Sequence, residues 1–143
     1  MPTPETLLEI RSYSGEGYMP LVDYATWRVA VLNYIDELLP QNLAAMQRHN
    51  ETDEVFVLLK GRCILFLGEG KDAITRVHAE DMQPLKVYNV KRACWHTHTL
   101  SEDAIVLIVE NCDTTLENSP HIPLTPAQRQ ELVSTTQALW TGG

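Results

Sequence analysis

Short runs of apolar, β-branched and aromatic residues dominate the middle of the chain. The stretch "EVFVLLKGRCILFLGEG", residues 54–70, holds two such runs around Lys60 and Gly61, which predicts a β-hairpin. Four further runs follow it: "AITRV", "LKVYNV", "CWHTHTL" and "AIVLIVE". Several short strands at close intervals are typical of an antiparallel sandwich or barrel, which we place at about residues 42–112.

Two of these runs, "EVFVLL" and "AIVLIV", do not alternate cleanly between apolar and polar residues. Strands that are apolar on both faces are usually covered on both sides. One face is therefore expected to line the interior of the barrel. The other is expected to meet a helix, a second sheet or a second subunit.

Helical patterns flank the β-rich region. Residues 23–40, "DYATWRVAVLNYIDELLP", carry apolar residues at helical spacing, with Asp23 as a candidate N-cap and Pro40 at the end. Residues 125–140 form a second pattern, with Thr125 as the cap and Pro126 in the first helical position. The prediction is one mainly β domain over residues 1–143, made of an arm and helix (about 1–41), a barrel (about 42–112) and a C-terminal helix.

Composition narrows the classes of partner. The chain has 143 residues and a net charge of −8, which disfavours a nucleic-acid backbone or an anionic membrane as the main partner. Neither a signal peptide nor a membrane-spanning run is recognisable. The three cysteines show no CxxC spacing, and reduced thiols in a cytoplasmic protein are the simplest interpretation.

Histidines and one glutamate are the candidate chemistry. His49 and Glu54 lie on either side of "NETD", a segment rich in turn formers, so a turn there can place them on neighbouring antiparallel strands with both side chains facing inward. His96 and His98 are two positions apart and share one face of a strand with Cys94. If that face is the interior, these side chains converge at the barrel mouth.

Two imidazoles and one carboxylate are the ligand set of non-haem Fe(II), and similar sets hold Mn, Ni, Co or Zn. His98 or Gln47 is the candidate for a fourth ligand, and His98 is the better donor of the two. A simpler interpretation stands beside this one. Histidines in "WHTH" can be polar residues on a solvated face, Gln47 can be a polar group lining the barrel, and Cys94 can be a small core residue.

The segment "QRHNETDEVFVLLKG" resembles the first signature of the cupins, a family of small double-sheet barrels. That signature runs His, one residue, His, three or four residues, Glu, six residues, Gly; His49, Glu54 and Gly61 fit it, and Gln47 stands at the first histidine. The second signature aligns with "LKVYNVKRACWHTHTL", with His96 at its histidine. Other residues replace its remaining markers, namely Leu85, Lys91, Ala93 and Leu100.

The resemblance covers about residues 43–109 and implies a cupin-like jelly-roll barrel with a pocket built from Gln47, His49, Glu54, Cys94, His96 and His98. It implies a divalent metal held by His49, Glu54, His96 and His98, and a small-molecule ligand. Because cupins host many chemistries, fold alone does not choose among them. Three functions stay open: a metal-dependent binding protein, an enzyme such as an isomerase, epimerase or dioxygenase acting on a sugar-like or small acidic metabolite, and a metal-free binding module. A homodimer is also expected, from the two-sided apolar strands and the N-terminal arm.

Overall fold

A computed structural model describes residues 2–141 of the chain. In that range the chain forms ten β-strands and one α-helix. No helix in it has the length and apolar character needed to cross a membrane. The elements, in chain order, are β1 (Gly17–Tyr24), β2 (Trp27–Asn33), β3 (Ala45–Gln47), β4 (Glu54–Lys60), β5 (Cys63–Glu69), β6 (Arg76–Asp81), β7 (Val87–Val90), β8 (Trp95–Leu100), β9 (Ile105–Asn111), β10 (His121–Pro123) and α1 (Pro126–Thr141).

The strands form two five-stranded antiparallel sheets. Sheet 1 has the order β1-β2-β9-β4-β7, and sheet 2 has the order β10-β3-β8-β5-β6. Phe56 and Val106 of sheet 1 pack with Leu65 and Leu100 of sheet 2 in one buried cluster, so the inner faces of the two sheets enclose the main core. The mainly β, double-sheet architecture predicted from the sequence is confirmed and is consistent with a jelly-roll barrel.

Sheet 2 is also covered on its outer face. Ile64, Phe66 and Trp95 pack there against Leu132 of α1 in a second buried cluster. The helix begins as expected, because Thr125 Oγ1 accepts a 3.1 Å hydrogen bond from the backbone N–H of Gln128. The Gln128 side chain accepts one in return from the Thr125 N–H at 2.9 Å, which is a capping box. The predicted C-terminal helix is therefore confirmed.

The predicted N-terminal helix over residues 23–40 is wrong. This segment holds the end of β1, a tight turn and the whole of β2, followed by two short 3-10 turns, Asp36–Leu38 and Pro40–Asn42. β2 pairs with β9 along its whole length, from Trp27 opposite Asn111 to Asn33 opposite Ile105. Its β-branched residues suit that pairing, and the ladder on a central strand outweighs a local helical spacing.

The predicted hairpin around Lys60 and Gly61 is also wrong. β4 pairs with β7 and β9 in sheet 1, whereas β5 pairs with β6 and β8 in sheet 2. Gly61 lies at the point where the chain passes from one sheet to the other. Its φ is +74°, and a Cβ there would lie 2.6 Å from Ala104 Cα. Glycine is required at this position because the backbone is left-handed and the space beside it is filled.

Candidate functional site

His49, Glu54 and His96 come from three different segments of the chain. His49 follows β3 in sheet 2, Glu54 is the first residue of β4 in sheet 1, and His96 is the second residue of β8 in sheet 2. The expectation that His49 and Glu54 lie on neighbouring strands of one sheet is wrong. The turn between them carries the chain across from sheet 2 to sheet 1, so the two side chains meet between the sheets.

The three side chains converge on a single carboxylate oxygen. His49 Nε2 lies 3.0 Å from Glu54 Oε1, and His96 Nε2 lies 2.9 Å from the same atom. One ligand-type atom from each residue lies within 4.8 Å of the others. All three residues are buried, with His96 only 1% exposed. The arrangement is therefore a compact donor cluster and not a set of solvated side chains.

A backbone carbonyl fixes the tautomer of His96. His96 Nδ1 lies 3.0 Å from the carbonyl oxygen of Cys94, and a carbonyl can only accept, so Nδ1 carries the proton. In the neutral ring Nε2 then presents a lone pair toward Glu54 Oε1, which also carries lone pairs. Two facing acceptors need a cation between or on them. That cation is either a proton, carried by the imidazole or by the carboxyl group, or a metal ion.

His49 is oriented in a similar way, because its Nδ1 lies 2.7 Å from the hydroxyl oxygen of Ser119. Burial of the His49 imidazole acts to lower its pKa, but the hydrogen bond and the charge of Glu54 outweigh it, so the pKa is raised above its ordinary value. Burial likewise acts to raise the pKa of Glu54. The two imidazoles outweigh that effect and hold the pKa well below its usual range. Glu54 is therefore ionised at neutral pH.

The cluster could hold a divalent metal. Neighbouring ligand atoms that each lie about 2.1 Å from an ion are about 3.0–3.4 Å apart in octahedral or tetrahedral geometry. The two distances from Glu54 Oε1 to the imidazole nitrogens, 3.0 and 2.9 Å, are close to that spacing, and the ligand atoms of all three residues lie within 4.8 Å of one another. Ser119 and the Cys94 carbonyl hold the outer ring nitrogens, as partners of metal-bound histidines commonly do.

A cavity of about 400 Å³ adjoins the cluster. It lies between the inner faces of the sheets and is closed on one side by the segment that follows β9. Its walls combine apolar residues with hydroxyl, amide and charged groups, and they include both His49 and Glu54. The lining residues are Tyr18, Arg28, Leu32, Gln47, His49, Glu54, His98, Ile108, Glu110, Thr114, Thr115, Leu116 and Ser119.

The other predicted site residues lie further from the cluster. Gln47 and His98 both line the cavity. His98, predicted as a ligand, is not part of the three-residue donor group found among the described residues. The side chain of Cys94, predicted in the pocket, lines a different cavity of about 210 Å³ with Leu65 and Tyr88.

Sequence reasoning missed a second polar group in the cavity. Glu110 is buried at the end of β9, and its Oε1 accepts hydrogen bonds from the Tyr18 hydroxyl at 2.6 Å and from Arg28 Nη2 at 2.7 Å. Burial and then the neighbouring charge of Glu54 raise the pKa of Glu110. The sequence carried one signal for this residue. Glu110 follows Val106 and Ile108 at alternate positions of one strand, so its side chain shares their inward face. Arg28 was missed because its segment was predicted to be a helix.

No family model matches the chain, and no curated protein sequence matches it. Solved structures do. A point variant of Streptomyces Pac13 with uridine matches with a TM-score of 0.55 at 7% identity, over 83% of this chain and 87% of that one. A cupin-2 domain protein from Shewanella frigidimarina matches with a TM-score of 0.52 at 13% identity, over 69% of this chain and 84% of that one. The chain has a cupin-like fold.

A third solved structure also has a similar fold. CapF from Staphylococcus aureus, a capsular polysaccharide assembling protein, matches with a TM-score of 0.56 at 11% identity, over 85% of this chain and 34% of that one. Identities this low establish a shared fold and leave the function to be argued from the residues. The predicted likeness to cupins is confirmed at the level of the fold.

We predict that His98 makes stability depend on pH in the metal-free protein. Burial, and then the charge of His96, lower the pKa of His98 from 6.5 to about 4. Between these pH values the unfolded chain binds a proton that the folded protein does not, so the free energy of unfolding falls as the pH falls from 6.5 toward 4. In EDTA, His98→Gln should flatten the profile of Tm against pH over this window.

The control is His121→Gln, which changes an exposed histidine on β10. It should leave the slope of the profile as in the wild type. A His98→Gln profile that is parallel to that of the wild type would show that His98 titrates as an exposed histidine does.

Proposed function

We propose that the protein binds a divalent metal through His49, Glu54 and His96, and a small molecule in the adjoining cavity. The observation that carries the proposal is the pair of imidazole nitrogens at 3.0 and 2.9 Å from one carboxylate oxygen. The Cys94 carbonyl fixes the proton of His96 on the far nitrogen. Two nitrogen donors and one oxygen donor suit Fe(II), Mn, Ni, Co or Zn.

The cavity supports the small-molecule part of the proposal. Its volume of about 400 Å³ lies within the range of pockets that hold small ligands. Leu32 and Ile108 provide apolar wall, while Gln47 and Thr114 add polar groups. When bound, a metal supplies a Lewis acid that can orient a ligand oxygen. The solved Pac13 structure with uridine is one case of this fold with a small molecule.

Metal analysis tests the proposed metal site. Protein purified without an affinity tag should contain a divalent metal, and adding metal at 100 times its Kd should raise the free energy of unfolding by about 2.7 kcal/mol. That gain corresponds to a rise of several degrees in Tm. His96→Ala and Glu54→Gln should each remove the metal and the metal-dependent rise, since each deletes one of three ligands.

His78→Ala is the matched control, because His78 is exposed on β6. Both metal content and the rise in Tm should survive that change. Protein that carries no metal and gains no stability from Fe, Mn, Co, Ni or Zn would refute the proposed metal site.

Catalysis in the same cavity is the second candidate function. It is favoured by the interacting carboxyl groups of Glu54 and Glu110, whose pKa values are shifted in opposite directions, down and up. The raised pKa of Glu110 suits this group to act as an acid near neutral pH, while Glu54 stays ionised beside it. Pac13, whose solved structure is similar in fold, is a nucleoside dehydratase. Isomerase, epimerase or dioxygenase activity on a sugar-like or acidic metabolite is equally compatible with the fold.

A substrate screen of sugars, sugar acids and nucleosides tests this candidate. A turnover found in the screen should fall by at least about 100-fold in His96→Ala, while Glu117→Gln, a change at an exposed position, should retain it. Full activity in the His96→Ala variant would show that the reaction does not take place at the site that contains His96.

We also propose that the protein is a homodimer through the outer face of sheet 1. Because α1 packs on sheet 2, this helix does not cover that face. The face is apolar, and Leu59 and Val87 on it are 46% and 70% exposed. An apolar face without charge at its centre can pair with its own copy about a two-fold axis. The remaining apolar residues on it are Val29, Val31, Val55, Val57, Ile105, Leu107 and Val109.

Light scattering after size-exclusion chromatography tests the dimer. Leu107 lies on β9, the central strand of sheet 1, so Leu107→Lys should convert a dimer to a monomer by placing two buried charges at the interface. Leu139→Lys, an exposed apolar position on α1, should leave the dimer intact. A monomeric wild type at high concentration would exclude this interface.

A further inference from the structure

Backbone hydrogen bonds fix the chain on both sides of His49. The N–H of Arg48 donates to the carbonyl oxygen of Pro120 at 3.1 Å. The N–H of Asn50 donates to the carbonyl oxygen of Asn118 at 3.0 Å. The loop that follows β9 is therefore held against the segment that carries this candidate metal ligand.

The register of this pairing places Ser119 opposite His49. β3 and β10 pair antiparallel with Gln47 opposite His121, and two further residues in the same register bring His49 and Ser119 together. Ser119 is only 3% exposed, and its hydroxyl oxygen lies 2.7 Å from His49 Nδ1. The contact follows from the pairing of the two segments, so the fold itself sets the position of the hydroxyl group.

Two arrangements of protons fit the contact between His49 and Ser119 when the imidazole is neutral. In the first, the hydroxyl donates to Nδ1, and the ring proton on Nε2 faces Glu54 Oε1. In the second, Nδ1 carries the proton and donates to the hydroxyl oxygen, so Nε2 presents a lone pair on the side of Glu54. Only the second form can bind a metal at Nε2, because a ligand nitrogen must be free of its proton.

The side chain of Asn118 selects the second arrangement. Its Oδ1 accepts a hydrogen bond from the backbone N–H of Thr115 at 2.9 Å, and its amide nitrogen donates to the carbonyl oxygen of Asp113 at 3.0 Å. These backbone partners fix which end of the amide is the oxygen, since an N–H only donates and a carbonyl only accepts. That oxygen also accepts the hydroxyl proton of Ser119 at 3.3 Å. Ser119 then offers only lone pairs to His49, and Nδ1 has to be the donor.

The same loop forms part of the wall of the cavity beside the cluster. Thr114, Thr115, Leu116 and Ser119 all line it. Because Asn118 is bonded to the backbone of Thr115, the position of the proton on the candidate metal ligand is tied to the conformation of the cavity wall.

We propose that Asn118 and Ser119 are positioning residues of the metal site, which keep the proton of His49 on Nδ1 and leave Nε2 free for a metal. This inference rests on the proposed metal-binding function and deepens it. The hydrogen bonds run in one direction, from Nδ1 to the Ser119 oxygen and from the Ser119 hydroxyl to the Asn118 amide. The Cys94 carbonyl holds the proton of His96 on Nδ1 in the same way, so both imidazoles present Nε2 to the site before a metal binds.

NMR of the imidazole nitrogens tests the proposal on metal-free protein. Long-range proton–nitrogen correlation spectra distinguish the two tautomers, because protonated and unprotonated ring nitrogens differ widely in chemical shift. The signals of His49 are assigned as those that the His49→Gln variant lacks. In EDTA-treated wild-type protein at alkaline pH, where the ring is neutral, His49 should carry its proton on Nδ1. In Asn118→Ala the hydroxyl of Ser119 is free to donate, and the form protonated on Nε2 should appear.

Metal affinity is the second measurement, with Co(II) as the probe and its visible absorption as the signal. Asn118→Ala and Ser119→Ala should each raise the Kd for Co(II) by about 10–100-fold, as the loss of an outer partner of a metal-bound histidine typically does. Ser119→Thr retains the hydroxyl group and should restore most of the affinity that Ser119→Ala loses.

Two matched controls separate this effect from a general loss of stability. Thr136→Val removes a buried hydroxyl that donates to the carbonyl oxygen of Leu132 within α1. Asn42→Ala removes an exposed loop amide that donates to the carbonyl oxygen of Asp36. Both variants should keep the wild-type Kd for Co(II), whatever their effect on Tm.

Three outcomes overturn the inference. These are a His49 ring protonated on Nε2 in metal-free wild-type protein, an unchanged tautomer in Asn118→Ala, and an unchanged Kd for Co(II) in both Asn118→Ala and Ser119→Ala. If a variant does not fold, the tautomer in the wild type still decides. Wild-type protein that binds no metal refutes the proposed metal site, whereas the tautomer of His49 is read without metal and is judged separately.

Discussion

Burial of the Glu54 carboxylate between two sheets is the constraint around which the interior of this protein is organised. An ionised group in a low-dielectric interior is stable only when opposite charge or strong donors surround it. Sheet 2 supplies the imidazoles of His49 and His96, each within 3.0 Å of the same oxygen. The contact therefore joins the two sheets as well as forming the candidate site. A metal ion or an added proton satisfies the same requirement.

The register of the strands explains why Glu110 lies beside Glu54. Val55 pairs with Val109 and Phe56 with Ile108, and one further step of this register places Glu54 opposite Glu110. On the other side of β9, Arg28 pairs with Glu110. Three adjacent strands thus contribute Arg28, Glu110 and Glu54 in a row on one face, since side chains alternate along every strand. Apolar residues occupy the next rows and form the core.

The sequence allowed the main class of fold and part of the site to be predicted. His49, Glu54 and His96 were selected from the spacing around the turn in "NETD" and from the resemblance to cupins, and the structure brings these three together. The helix after Thr125 was predicted from its cap and its proline, which act locally. The helix over residues 23–40 was predicted wrongly because the spacing of apolar residues there fits a helix, while pairing with β9 decides the outcome.

By itself the sequence determined the β-rich middle of the chain, the C-terminal helix and the three residues of the donor cluster. The strands and the helix depend on spacing and propensity within a short segment, and the three residues of the donor cluster were selected with the help of the resemblance to cupins. Only the tertiary structure decided which sheet each strand joins, that Gly61 and the "NETD" turn carry the chain between sheets, and that Tyr18, Arg28 and Glu110 reach the cavity. These features depend on contacts between residues far apart in the chain, such as Tyr18 and Glu110, 92 positions apart. Local periodicity carries no information about such pairs, because it specifies which face a side chain occupies and not which strand lies beside it.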